Sequence, residues 1–197
     1  MYPAFKAKVL GKVIGDGQCV ALIVNNSNAY TEFLWPGVTW TNIFAPVPSA
    51  KDLFTDANPK YFQAIANNHN DPNQVPLQGD VMVFGPTPAP GFSNTFNNPD
   101  GHAGICDSAS SAGYALLQQN SPSSGSPVNV KQYPWKFRPC IGWLRPVAQA
   151  EYYTVVKGDT MSGIAVKFGL TLAQLEALNP QVTNPNLISI GEKIRVK

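Results

Sequence analysis

Charge is scarce in this chain of 197 residues. Only 13% of its side chains are Asp, Glu, Lys or Arg, and 14 basic against 12 acidic groups leave a net charge of +2. Binding to a phosphate backbone calls for a strong basic excess, so nucleic acid is excluded as an expected partner. Long apolar runs are missing as well: none approaches the roughly 20 residues that cross a bilayer. The opening "MYPAFKAKVLGKVIGDGQC" lacks the apolar core and the small-residue cleavage site of a secretory leader. The expectation is a protein made in the cytoplasm, with no membrane insertion. Cysteine and histidine are rare, at three and two residues. The odd cysteine count leaves at least one of Cys19, Cys106 and Cys140 without a partner in the chain, and no C-x-x-C spacing offers a zinc site or a redox pair.

What is present falls into two parts. Cys19, Leu22, Ile23, Tyr30 and Phe33 recur at helical spacing and predict an amphipathic helix over residues 18–34, beginning at Cys19. Asn58 as cap and Pro59 at the first position predict a second helix over 58–68. The runs "GDVMVF" (79–84), "HAGICDS" (102–108), "YALLQQN" (114–120) and "CIGWLRP" (140–146) are short and β-rich, separated by Gly, Ser and Pro, the pattern of an antiparallel sheet. Between the first two lies the Pro- and Asn-rich stretch 85–100, long enough to be a functional loop. Residues 148–151 read as a linker between an α+β domain (1–147) and a unit at 152–197 whose order is strand, helix, helix, strand.

A cysteine attacks as the thiolate, and a free thiol, with a pKa of about 8.5, is mostly protonated at neutral pH. A helix N-terminus favours the anion, and Cys19 occupies one, behind Gly15 and Gly17. An imidazole then has to take the thiol proton and pass it to the leaving group. His102 opens a β-run directly after Gly101, whereas His69 lies in the polar "NNHNDPNQ", where with Asp71 it makes two ligands without a third and reads as a surface loop. A further group must hold the ring, and Gln118 and Asn120, two residues apart in "LLQQN", are the candidates. Cys106 and Cys140 read as buried small hydrophobes and Asp80 as a structural strand start. Trp35 and Trp40 read as core, or else as the lining of a cleft near the active helix.

In this order, "GDGQCVAL", "VPLQGDVMVF", "GHAGI", "LLQQN" and "IGWLRP" resemble the CHAP domain, a papain-like amidohydrolase/peptidase of bacterial and phage cell-wall lysins, over most of residues 5–146. The resemblance implies Cys19 as nucleophile and His102 as general base. It implies Asn120 or Gln118 as the group that orients the imidazole, and Gln18 with the Cys19 backbone N–H as the oxyanion hole. Relatives often carry an acid where Gln118 stands. Some also carry an Asp-rich calcium loop before the cysteine, but "GKVIGDG" offers only Asp16, so no metal and no cofactor is expected. An NlpC-type peptidase, with Asp-Cys-Ser at its nucleophile, fits Gln18-Cys19-Val20 less well.

"YTVVKGDTMSGIAVKFGLTLAQLEALNP" followed by "NPNLISIGEKIRV" resembles a LysM module over nearly all of 152–197. That implies a βααβ fold and a shallow groove for N-acetylglucosamine-containing glycan, with Gly158, Asp159, Thr160 and Met161 on one wall and Asn186, Leu187 and Ile188 on the other. The two resemblances together imply a monomeric, endolysin-like peptidoglycan hydrolase that cuts an amide bond in cell-wall peptide. It would be made in the host bacterial cytoplasm or carried on a virion, and would act at the wall after release. The alternative is a non-enzymatic wall-binding or structural phage component with a degenerate papain-like domain.

Overall fold

The computed structural model describes every residue except 25–27, 45–48, 69, 70, 72, 122, 124 and 149. The chain divides into two compact units, Met1–Val147 and Ala148–Lys197. None of the described helices is long and apolar enough to cross a membrane.

The first unit is built on six strands, β1 (Phe62–Ala66), β2 (Val81–Phe84), β3 (His102–Ser110), β4 (Gly113–Gln118), β5 (Asn129–Pro134) and β6 (Cys140–Pro146). They form one antiparallel sheet in the order β1-β6-β2-β3-β4-β5. Successive strand residues point to opposite faces, and here both faces are covered. Val81, Val83, Ala103, Ile105, Leu117 and Leu144 pack with Phe5 and Val9 of α1 (Tyr2–Val9) and Leu22 and Ile23 of α2 (Cys19–Ile23). Met82, Phe84, Tyr114, Leu116, Tyr133, Cys140 and Trp143 form a second core on the other side. A strand buried on both faces has no polar positions to alternate with, which is why "VMVF" reads as an unbroken apolar run.

Two expected helices are absent. The 18–34 helix is two short ones: α2 stops at Ile23 because Val24 is already extended (ψ 174°), and α3 resumes at Tyr30 and runs to Leu34. Segment 58–68 is a turn followed by β1. Asn58 does accept the Lys60 N–H (2.9 Å), as a cap would, but pairing with β6 from Phe62↔Pro146 to Ala66↔Gly142 outweighs local helical preference. Trp35 is 8% exposed and stacks edge-on against Tyr61 and Phe62, so it belongs to the core, and Trp40 packs against the same cluster. Cys106 and Cys140 are buried free thiols.

Buried Asp80 does more than start β2. Its carboxylate accepts both Arg145 Nε (3.1 Å) and a terminal guanidinium nitrogen (2.8 Å), and it closes a turn through the Leu77 N–H. Gly101 is the residue that lets β3 begin where it does. Its φ is +73°, and a Cβ there would lie 2.2 Å from the Phe84 carbonyl oxygen. Gly101→Ala is therefore expected to destabilise the unit by about 3 kcal/mol, from a left-handed φ plus a backbone clash. Urea midpoints of the two proteins would check this, and an unchanged midpoint would contradict it.

The second unit follows the expected βααβ order: β7 (Tyr152–Thr154), α5 (Met161–Lys167), α6 (Leu172–Leu178) and β8 (Lys193–Arg195), with β7 and β8 antiparallel. Thr160 caps α5 by accepting the Gly163 N–H (3.1 Å), and Thr171 and Gln174 form a reciprocal capping box on α6. Val155, Met161, Ile164, Ala165, Leu175, Ile194 and Val196 fill the core. Fully buried Asn179 bonds Leu175 O, Arg195 O and Arg195 N, each at 2.8 Å, and so ties the end of α6 to β8.

Candidate active site

The segment before α2 is shaped by two left-handed glycines, Gly15 (φ 59°) and Gly17 (φ 83°). Between them Asp16 Oδ1 accepts the Gln18 N–H (3.0 Å), and Gln18, extended, is the N-cap residue of α2. Cys19 thus stands at the first helical position, where backbone N–H groups point outward. Its thiol is 8% exposed. Burial pushes its pKa up, and the backbone N–H groups of Ala103, Val20 and Cys19 together with the Arg138 charge pull against that rise. The Ala103 N–H belongs to the residue after His102, so the thiol lies against the start of β3.

His102 Nε2 is 2.8 Å from Gln118 Oε1, in a buried contact. An amide oxygen only accepts, so the ring nitrogen donates, and in the neutral imidazole the lone pair is left on Nδ1. The Gln118 amide is held in that orientation because its NH2 group donates to the Tyr133 hydroxyl. Burial, helped by Arg138, lowers the His102 pKa to about 3, and the Gln118 bond opposes this. The His102 imidazole is therefore neutral at physiological pH.

Asn120, expected as one of two groups able to orient the ring, makes other bonds. β4 ends at Gln118, and Asn120 is left-handed (φ 60°), so the alternation that put the two residues on one face stops before it applies. Its Nδ2 donates to Gln18 Oε1 (2.8 Å) and its Oδ1 accepts the Gly125 N–H (2.8 Å). The first bond fixes the Gln18 amide through its oxygen. Gln119, between the two, was not singled out by sequence reading. Its buried amide bonds Ile14 N (2.9 Å), Ile14 O (2.9 Å) and Gln18 O, clamping the segment that leads into Cys19. Two glutamines directly after the apolar run 115–117 were the available sign.

Cys19, His102, Gln18 and Asn120 line a single cleft of about 560 Å³, closed by Gly15, Asp16, Val20, Ala21, Ser49, Ala50, Asn98, Asp100 and Gly101. Gln118 lies beneath it, fully buried. Loop 85–100 contributes Asn98 and Asp100, so that irregular stretch does wall the cleft. Neither Trp35 nor Trp40 reaches it. His69 lies outside the described residues. Among the described residues no group of three His, Cys, Asp or Glu side chains is placed to hold a metal.

In the second unit, Gly158 (φ +92°) and Asp159 make the turn after β7, with the Asp159 carboxylate accepting the Val156 N–H (2.8 Å). That bond holds the carboxyl below its usual range. Met161 is 1% exposed and belongs to the core, so it backs the expected wall from beneath and presents no face to a ligand. Across from it in sequence, Leu187 is 74% exposed, Ile188 packs on the core, and the Asn186 N–H is turned into the loop by Asn184 (3.0 Å).

Residues 153–197 match the LysM domain family. Curated relatives match over LysM-sized segments: an endolysin of Bacillus phage PZA is 48% identical over 44 residues, 22% of this chain and 17% of the relative. A chlorophenol reductase of Desulfitobacterium hafniense is 55% identical over 51 residues, 26% of this chain and 16% of the relative. The chain thus spans under a fifth of these proteins. Their differing names show that LysM travels between proteins of unlike activity. The solved structure of Ly7917 superposes with a TM-score of 0.52 at 18% identity, covering 78% of this chain and 64% of that one. A share of 78% is more than the LysM unit can supply, so the shared fold includes much of the first unit.

Proposed function

We propose that the first unit is a papain-like CHAP hydrolase that cuts an amide bond in bacterial cell-wall peptide, and that LysM holds it on the glycan. The observation that carries this reading is the arrangement at the start of β3. A thiol at a helix N-terminus lies against the Ala103 N–H, and the adjacent imidazole has its Nε2 bonded to Gln118, which in the neutral ring leaves the lone pair on Nδ1. The Cys19 sulfur attacks the carbonyl carbon as the thiol proton passes to His102 Nδ1. The Gln18 NH2 and the Cys19 N–H receive the oxyanion. The C–N bond then breaks, and the amine leaves with the proton from Nδ1. Water, deprotonated by His102, hydrolyses the thioester, releasing a carboxylate and restoring the thiol.

Binding and cutting are divided between the units. A single LysM module offers a small contact, with the 158–160 turn and 186–188 as its walls, and its main effect is to raise the local concentration of substrate. Ly7917 has also been solved with the hydrolyzing product of MDP, at a TM-score of 0.50 to this chain, which accords with the wall as substrate. Digestion of purified peptidoglycan followed by mass spectrometry tests the reading and names the bond. New amine termini are expected, an alanine terminus freed from muramic acid marking an amidase and any other an endopeptidase. Binding without new termini would instead support a non-enzymatic wall protein.

A further inference from the structure

Cys140 of β6, Phe84 of β2 and His102 of β3 stand in one row across the sheet. Arg138 comes two residues before Cys140, so it enters at the same end of the sheet as the thiol and its base. It is a buried cation, 9% exposed, and among the described residues its Nε has no hydrogen-bond partner. Among the described residues no carboxylate pairs with it; the ion pairs there are Lys6–Asp107 and Arg145–Asp80. Its guanidinium lies 5.5 Å from the centre of the Phe137 ring, which stacks on Tyr133 at 4.5 Å. Tyr133 holds Gln118, and Gln118 holds His102. The titratable groups that feel the Arg138 charge are Tyr133, Tyr114, Cys19 and His102, while Asp16 and Asp100 stand on the water-exposed wall of the cleft.

A guanidinium buried without an acid is unfavourable unless an anion forms beside it. We propose that Arg138 is the fixed positive charge of this site, a buried cation at the same end of the sheet that stabilises the Cys19 thiolate, so that an amide at Gln118 replaces an acid. The proposal rests on the reading of Cys19 as nucleophile. An acid at 118 would draw a proton onto the ring and make the imidazolium the thiolate's partner; here the countercharge comes from β6 and the ring stays a base. The guanidinium lowers the thiol and the imidazole alike. Arg138 acts through Cys19 and His102 and is a positioning residue.

The test is the pH dependence of Cys19 carbamidomethylation by iodoacetamide in the full chain, mapped by mass spectrometry, for wild type, Arg138→Lys and Arg138→Met. The His102 ring is titrated by NMR in parallel. Arg138→Met is expected to move the alkylation midpoint up by about one pH unit, roughly a tenfold slower reaction below it, and Arg138→Lys to stay within about twofold of wild type. The His102 midpoint should rise in Arg138→Met as well. An unmoved alkylation midpoint in folded Arg138→Met overturns the proposal. So does an imidazolium at pH 6 in wild type, a result that needs no variant to fold. Hydrolysis surviving in Cys19→Ala would sink the nucleophile assignment, while the alkylation curve would still report the Arg138 charge.

Discussion

Cys19→Ala is expected to lower peptidoglycan hydrolysis by about 10⁴-fold or more while leaving wall binding within about twofold. Nothing else in the chain can supply the missing sulfur. Cys106 and Cys140 are 0% and 2% exposed, and burial pushes both thiols up to about 12. Their sulfurs lie near the Pro76 and Gly142 carbonyls, at 3.9 and 3.6 Å, and neither lines the cleft. The substitution removes one atom from a small side chain, so the fold should persist. Turbidity clearing measures the loss and co-sedimentation with walls measures binding. Residual clearing above about 1% of wild type would show that Cys19 is not the nucleophile.

The second large effect is acid sensitivity. His102 has its pKa lowered to about 3, chiefly by burial and then by Arg138, whereas an unfolded histidine titrates near 6.5. Between these values the unfolded chain carries a proton that the folded chain refuses. Stability is therefore full above about pH 6.5 and falls as pH drops toward 3, with a slope approaching about 1.4 kcal/mol per pH unit. His102→Gln removes this proton difference and should flatten the slope, while lowering hydrolysis by about 10³-fold through loss of the base. Urea midpoints of both proteins at pH 7, 6, 5 and 4 give the comparison. Parallel curves would mean that the imidazole is not held neutral. Asp107, whose carboxyl is lowered by Lys6 and Tyr2, contributes to both proteins equally and drops out of the difference.

The candidate site was legible where its chemistry is local and misread where it is not. The place of Cys19 at a helix start could be read because glycines, a polar residue and an apolar run mark one, and that of His102 at a strand start because Gly101 precedes an apolar β-run. Asn120 bonds elsewhere than to the ring for a specific reason. Period-two reasoning holds only while the strand lasts, and β4 ends at Gln118, so Asn120 turns away to Gln18 and Gly125. Gln119, for which the sequence reading made no expectation, bonds Ile14 and Gln18 across 105 and 101 residues of chain. Segment 58–68 was misread because its capping residues are real, yet its backbone bonds go to β6, more than 70 residues away.

By itself the sequence determined an α+β part followed by a strand-helix-helix-strand unit, the central strands, and the position of Cys19 at a helix start. These follow from periodicity and turn chemistry within a few residues. Only the tertiary structure decided that Gln118 holds His102, that Tyr133 orients Gln118, and that Arg138 is buried just before β6, at the end of the sheet where β3 begins. Those outcomes depend on strand order and register, which bring β3, β4, β5 and the start of β6 to one end of the sheet. No local pattern carries that information, because each pairing is selected by burial of a whole strand face and not by the residues that later meet at the site.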